Sequence, residues 1–249
     1  MKTRLLFIPF LFIAQAVVAQ SGNTQVQDSS RRVQSIEGII VTRLRAKETP
    51  SNSLVLKEDL KARNFGQDLP TLLEFTPSVV TTSDAGAGIG YSGIRISGVD
   101  ASRINVTING IPVNVPESHD VYWVNMPDLF SSADDIQVQR GIGFSAMGGT
   151  GLGGSISIKT TKRHLKPFLT YQTSFGSFNT FKNTLQASTG VLPDGWQITS
   201  RGSWIQSEGF VDRSWSRLGS FYLDVSKYGD RYTAHIIASH GRERTYQSW

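Results

Sequence analysis

The sequence contains no cysteine in 249 residues. That excludes a disulfide framework, a Cys-ligated zinc site and a thiol nucleophile. Charge is scarce as well: Asp, Glu, Lys and Arg make up 18% of the chain, below the roughly 25% of an average soluble domain. The 25 Lys+Arg and 20 Asp+Glu leave a net charge of +5. Setting aside Lys2 and Arg4 in the leader leaves 25 − 2 − 20 = +3. That charge is too mild to argue for a nucleic-acid surface, and no Lys/Arg block supports one. What is abundant is glycine, at 24 residues, and aromatic side chains, at 10%. Such a chain is not disordered over most of its length, and it is long enough for one or two domains with a core.

Long apolar runs are also missing, with one exception. Met1-Lys2-Thr3-Arg4 is a short basic head, Leu5 to Val18 is almost wholly apolar, and Val17-Val18-Ala19 ends on the small residue a signal peptidase needs. Residues 1–19 therefore read as a signal peptide; the apolar run is shorter than the roughly 20 residues that span a bilayer as a helix. The exported chain then falls into three zones. Residues 20–46, opening with Gln20-Ser21-Gly22-Asn23, bury nothing obvious and read as a flexible arm. Within it, Ile36-Glu37-Gly38-Ile39-Ile40-Val41-Thr42 is β-prone. It is either the first strand of the next domain or a strand offered to a partner's sheet edge.

Residues 47–162 carry a mixed α and β pattern. Leu69, Leu72 and Leu73 fall on one helical face, with Asp68 as N-cap, Pro70 in the first turn and Pro77 as stop. Asn109-Gly110 lies between Ile104–Ile108 and Ile111–Val113. This predicts a hairpin closed by a type I′ turn, both of whose central residues need positive φ. Met126 to Phe130 reads as a short helical turn, and Ile136–Arg140 and Ser155–Lys159 as strands either side of a glycine loop.

Beyond Thr161 the texture changes to five segments of alternation, each about the 9–11 residues of a tilted membrane strand. In one, Phe181, Asn183, Leu185 and Ala187 alternate with Lys182, Thr184, Gln186 and Ser188. In the next, Trp196, Ile198, Ser200, Gly202 and Trp204 alternate with Gln197, Thr199, Arg201 and Ser203. Phe168, Trp196, Trp204 and Tyr232 sit near segment ends, where an interfacial aromatic girdle is expected. The connections at Leu192–Gly195 and Lys227–Asp230 read as tight turns and Ser207–Ser216 as a longer loop. A soluble sandwich also alternates, but long strands and paired connections point to a barrel. Five strands cannot close a barrel, which needs about eight, so the chain reads as a fragment of something longer.

The apparent chemical motifs do not add up to a catalyst. Gly149-Thr150-Gly151-Leu152-Gly153-Gly154 has the spacing of a dinucleotide fingerprint, but a strand follows where a helix N-terminus would have to hold the pyrophosphate. His235 and His240 would face opposite sides of one strand and could not share a metal. No cofactor and no metal site is expected, and no triad or acid dyad stands out.

These blocks resemble the TonB-dependent outer-membrane receptors. Ile36–Thr42 is similar to their TonB box, although it is looser, with Gly38 inside it. Asp68-Leu69-Pro70 to Pro77-Ser78-Val79, Ile94-Arg95-Ile96-Ser97-Gly98-Val99, Val106 to Pro112, and Asp135 to Gly141 with Gly148 to Ile158 resemble the successive signatures of the plug. The resemblance implies an α+β plug domain at 47–162. The first antiparallel strands of a large transmembrane β-barrel, about 22-stranded in the family, would follow at 163–249. It implies uptake of a scarce extracellular solute, most often an iron complex such as a siderophore, across the outer membrane of a Gram-negative bacterium. The partners implied are outer-membrane lipid and TonB of the inner-membrane energy-transducing complex, with Ile36, Glu37, Gly38, Ile39, Ile40, Val41 and Thr42 binding TonB. Glu117, His119, Asp120, Tyr122 and Trp123 are the loop residues expected to meet ligand, and Gly86, Gly88, Gly90 and Gly93 a flexible outward loop. Arg95, Gly98, Asn109, Gly110, Arg140 and Gly141 are expected to be structural, the two arginines pairing with barrel carboxylates. A passive porin or surface adhesin, and a soluble exported β-rich enzyme, are the rival readings.

Overall fold

The computed structural model describes residues 52–56, 60–141 and 151–246. The leader, the 36–42 segment and the first part of the glycine loop lie outside the described residues. The N-terminal body is built on one mixed sheet. Its strands are β1 (Asn52–Leu56), β4 (Ile104–Ile108), β5 (Ile111–Pro112), β6 (Asp135–Arg140) and β7 (Gly154–Lys159), in the order β1-β6-β7-β4-β5. β4 and β7 run parallel, and the other pairs antiparallel. A separate hairpin, β2 (Val79–Ser83) with β3 (Ser92–Ile96), and two four-residue helices, α1 (Leu69–Leu72) and α2 (Leu129–Ser132), complete it. Alternation puts Ile136 and Val138 of β6 and Ile156 and Ile158 of β7 into a core shared with Ile96, Leu73 and Trp123. Burying each such side chain is worth about 1.5–3 kcal/mol, and this core sets the body's shape.

The turn chemistry is as predicted. Asn109 and Gly110 have φ of 52° and 83°, the left-handed pair that closes a type I′ hairpin. α1 buries Leu69, Leu72 and the following Leu73. Its N-terminus departs from expectation: Asp68 occupies the N-cap position but makes no capping bond. The Asp68 carboxylate instead accepts a 2.9 Å bond from the Ser92 hydroxyl, because the side chain turns inward toward β3. The glycine fingerprint likewise leads into β7, a strand.

The C-terminal part is an antiparallel meander of β8 (Phe168–Gly176), β9 (Thr180–Ser188), β10 (Trp196–Ser207), β11 (Ser216–Tyr228) and β12 (Thr233–Thr245), in sequential order and open among the described residues. Its last three strands, of 12, 13 and 13 residues, exceed the expected length. One face packs on the N-terminal body; the other carries exposed apolar side chains such as Leu169, Leu185, Ile198, Trp204, Phe221 and Ile236. A contiguous exposed apolar face of this kind marks contact with another apolar phase or partner.

Two expectations need correction. Phe168 pairs with the buried Ser188, so it lies on the inner face and stacks edge-on against His164, outside any outward girdle. The connections are not strictly paired as tight turns at one end and long loops at the other, since the short 177–179 link and the long 208–215 link share one end of the sheet. The segment before the Leu192–Gly195 turn also adds length at the opposite end, where Val191 N–H bonds His164 O.

Where β6 and β7 meet, Gly154 has φ of +147° and any Cβ would collide with the Gln139 carbonyl oxygen. Gly154→Ala should therefore cost more than about 1 kcal/mol. A lower urea midpoint with an unchanged m-value is the expected result; an unchanged midpoint would show that the strands can part freely.

Candidate functional site

A cluster of buried polar groups lies on the face between the N-terminal body and the meander. At its centre is Asp128, which precedes α2 in a left-handed conformation, φ 53° and ψ 30°. That turn aims its carboxylate at the inner faces of β9 and β10, where it is wholly buried. Lys182 Nζ donates to Oδ1 at 2.6 Å, and Arg201 Nη1 reaches Oδ2 at 3.5 Å. Hydroxyl donors complete the shell: Ser131 at 2.5 Å and Thr184 at 2.7 Å, with Ser203 also bonded. Arg201 is held in turn by Ser132 at 2.6 Å and Ser220 at 2.8 Å.

Burial pushes the Asp128 carboxyl up, but the Lys182 ammonium, the Arg201 guanidinium and these donors outweigh it and hold it at about 2. Asp128 is therefore ionised at every physiological pH. Two cations and one anion make the cluster net positive, and removing the anion would leave both cations buried without a counter-charge.

Two further ties lie beside it. Asn109 donates to Thr160 Oγ1 at 2.8 Å and accepts from Thr160 N–H at 2.9 Å. Thr160 Oγ1 is in turn 2.8 Å from the Tyr222 hydroxyl on β11. The third tie is apolar and small: Ile89 and Val124 pack against Ile205 and Leu218. Beside it Phe210 N–H bonds Ala85 O at 2.7 Å. The interface is thus mostly hydrogen bonds and charge.

The expected site residues are scattered about this face. Ile36–Thr42 lies outside the described residues. In the 115–123 loop, Glu117, His119 and Tyr122 are exposed and Asp120 is half-buried. Asn114 braces this loop, accepting from Val106 N–H at 2.8 Å and donating to Ile104 O and His119 O at 2.9 and 2.7 Å. His119 lines a cleft of about 410 Å3 with Arg103, Asn105 and Leu152. Trp123 is a correction: it is 3% exposed and belongs to the core, because hydrophobic burial claims its indole.

The loop that carries Gly86, Gly88, Gly90 and Gly93 is another correction. It is packed, with Gly86 close against Phe210, Gly88 against Thr71, Gly90 against Ser216 and Gly93 against Thr82. Small residues here permit close approach. Arg95 pairs at the surface with Asp100, 2.9 Å away on the same body, and with no carboxylate of the meander. Gly98 and Gly141 have φ of 78° and 71° and serve turns; Arg140 ends β6 opposite Gly154. Among the described residues no group of His, Asp and Glu could hold a metal.

Asp128, Lys182 and Arg201 were not singled out from sequence. The available signal was a cation at an inward position of two neighbouring alternating strands, since a buried charge requires a partner.

Residues 45–155 match the family model described as the TonB-dependent Receptor Plug Domain. Among solved structures, the siderophore receptor PirA from Acinetobacter baumannii matches with 19% identity and a TM-score of 0.60, covering 79% of this chain and 32% of that one. The ferric citrate transporter FecA matches with 19% identity and a TM-score of 0.63, covering 79% and 31%. The copper transporter OprC matches with 17% identity and a TM-score of 0.67, covering 80% and 32%. No curated protein matches. Residues 45–155 are thus similar to the plug domain of TonB-dependent receptors, and the meander is the run of antiparallel strands that follows them. The chain spans about a third of the length of the solved chains it matches.

One buried carboxyl on the plug is poised differently from Asp128. Asp68 is 4% exposed, and burial raises its pKa to about 7, with the Ser92 bond opposing and the charge of Glu243 adding. The folded plug therefore binds a proton more tightly than the unfolded chain. Through this group stability is greatest below the unfolded pKa near 3.8 and falls as pH rises to about 7. Asp68→Asn should flatten that decline by about 2–4 kcal/mol between pH 4 and 8. Urea midpoints of wild type and variant at the two pH values measure it; parallel slopes would contradict the assignment.

Proposed function

We propose that this chain supplies the plug and the first wall strands of an outer-membrane receptor that imports a scarce extracellular solute, with energy delivered by TonB. The plug family match carries this reading, and the solute class it favours is an iron complex. The similar structures include a siderophore receptor and a ferric citrate transporter. Copper is the second reading, supported by the likeness to a copper transporter. A passive porin or adhesin has no need of a plug domain ahead of its strands, and the matched chains are receptors and transporters with no enzyme among those named.

The exposed apolar face of the meander suits hydrocarbon, and the 12- and 13-residue strands are long enough to cross it when tilted. The seam suits a plug that must move and return. Each hydroxyl or charge bond across it can be exchanged for a bond to water, so partial displacement costs little per contact. A broad apolar interface would oppose wetting along its whole area. TonB pairs with Ile36–Thr42 by adding a strand, and tension along the arm shifts the plug on its seam. Glu117, His119, Asp120 and Tyr122 are the residues offered to the solute, with His119 and Arg103 at the cleft.

Ile40→Pro in the full-length receptor removes a ladder donor from the paired segment. Binding of ferric complex at the cell surface should persist while energised uptake drops to the level of cells lacking the proton motive force. Undiminished uptake would contradict TonB pairing at 36–42.

A further inference from the structure

The outward face of β11 and β12 is not uniformly apolar. Its cross-strand rows run from Val225 with Ile236 and Leu223 with Ala238, through Phe221 with His240 and Gly219 with Arg242, to Arg217 with Arg244. Cross-strand partners share a face, so the arginines lie on the same side as the apolar rows. The last row sets two guanidiniums directly opposite each other, an arrangement that destabilises a sheet unless an anion intervenes. Both flank the indole of Trp215, at 5.5 and 5.7 Å from its ring, and Arg213 lies 6.0 Å from the ring of Tyr246. Among the described residues no carboxylate forms an ion pair with Arg217, Arg242 or Arg244. Glu243 points to the opposite face, since its partner is the buried Leu218.

Trp204 marks the level of this cluster. It pairs with Gly219, whose missing side chain lets the indole lie across β11, so it shares a row with Arg242. A tryptophan on an outward strand face belongs at the headgroup boundary of a bilayer. Arg242 therefore sits at that boundary, and Arg217 and Arg244 one row farther from the apolar band. At this depth an arginine has lipid headgroups as neighbours, and the guanidinium fork matches phosphate oxygens in a bidentate fashion.

We infer that Arg217, Arg242 and Arg244 form a binding surface for phosphorylated lipid headgroups of the membrane leaflet at that end of the strands. This rests on the membrane-wall reading of the meander. The lipid phosphates supply the counter-charge that the opposed Arg217–Arg244 pair lacks, and Trp215 lies within cation–π reach of both guanidiniums. The surface would fasten the wall at a set depth and gather anionic lipid around the 208–215 link.

The test uses the full-length receptor in nanodiscs. Retained lipid is counted by native mass spectrometry, comparing bisphosphorylated lipid A with its dephosphorylated form. Wild type should retain the phosphorylated lipid at least about tenfold better, and R217Q/R242Q/R244Q should abolish the preference. The lysine triple variant should keep part of it, because charge remains while the fork is lost. Inorganic phosphate at equal concentration should not displace the lipid. Equal retention of both lipids by wild type, or an unchanged preference in the glutamine variant, would overturn the proposal. If the triple variant does not insert, R242Q alone must still lower the preference severalfold, and failure to do so also overturns it. Failure of wild type itself to insert would instead refute the membrane-wall reading.

Discussion

A single ionised carboxylate organises the seam between the N-terminal body and the strand meander. Asp128 is buried with two cations from neighbouring strands and a shell of hydroxyls. Ions of this kind are costly to desolvate, and the cost is offset only when geometry and surrounding hydrogen bonds are good. Every element nearby answers that need. The left-handed turn at Asp128 aims the side chain, α2 brings Ser131 and Ser132, and β9 and β10 present Lys182, Thr184, Arg201 and Ser203 from one face. A well-packed apolar seam could have held the two parts together as firmly. A polar one also specifies register and orientation while leaving bonds that water can replace.

That combination fits the mechanical task proposed for the receptor. The plug's own cohesion comes from Ile136, Val138, Ile156, Ile158 and their neighbours, whereas its attachment to the meander is mainly polar, with four buried apolar side chains at one corner. Interior and attachment therefore differ in kind. Tension that hydrates the seam need not disrupt the plug core. The other face of the same strands has a third chemistry, apolar in the middle with arginine and tryptophan toward one end, so each strand of the meander reads differently on its two sides. The 208–215 link joins these surfaces, carrying Phe210 against the plug and Trp215 beside the arginines.

Much of this was legible in the residue pattern, and the reasons are local. Strand alternation placed Lys182, Thr184, Arg201 and Ser203 opposite Leu185, Ile198 and Trp204 correctly, because pleat geometry admits one period. The Asn109-Gly110 hairpin was legible because few residues accept two left-handed conformations in succession. What failed depended on partners distant in sequence. Asp68 looked like a cap because capping residues and buried acceptors share a chemistry, and only β3 decides between them. Trp123 sat in a polar loop, so nothing local showed that its ring turns into the core. Gly86 and Gly90 suggested flexibility, while the structure uses them for close approach to Phe210 and Ser216. The Asp128 cluster joins positions more than fifty apart, beyond the reach of any periodicity.

The most direct measurement is a double-mutant cycle on Asp128 and Lys182 in the full-length receptor, following urea-induced release of the plug by its protease sensitivity. Asp128→Asn should lower the release free energy by about 3–5 kcal/mol, Lys182→Met should cost less, and the two together should cost less than their sum by at least about 1 kcal/mol. Strict additivity, or an Asp128→Asn release curve superimposed on wild type, would mean that the plug is held to the strands by something other than this buried charge.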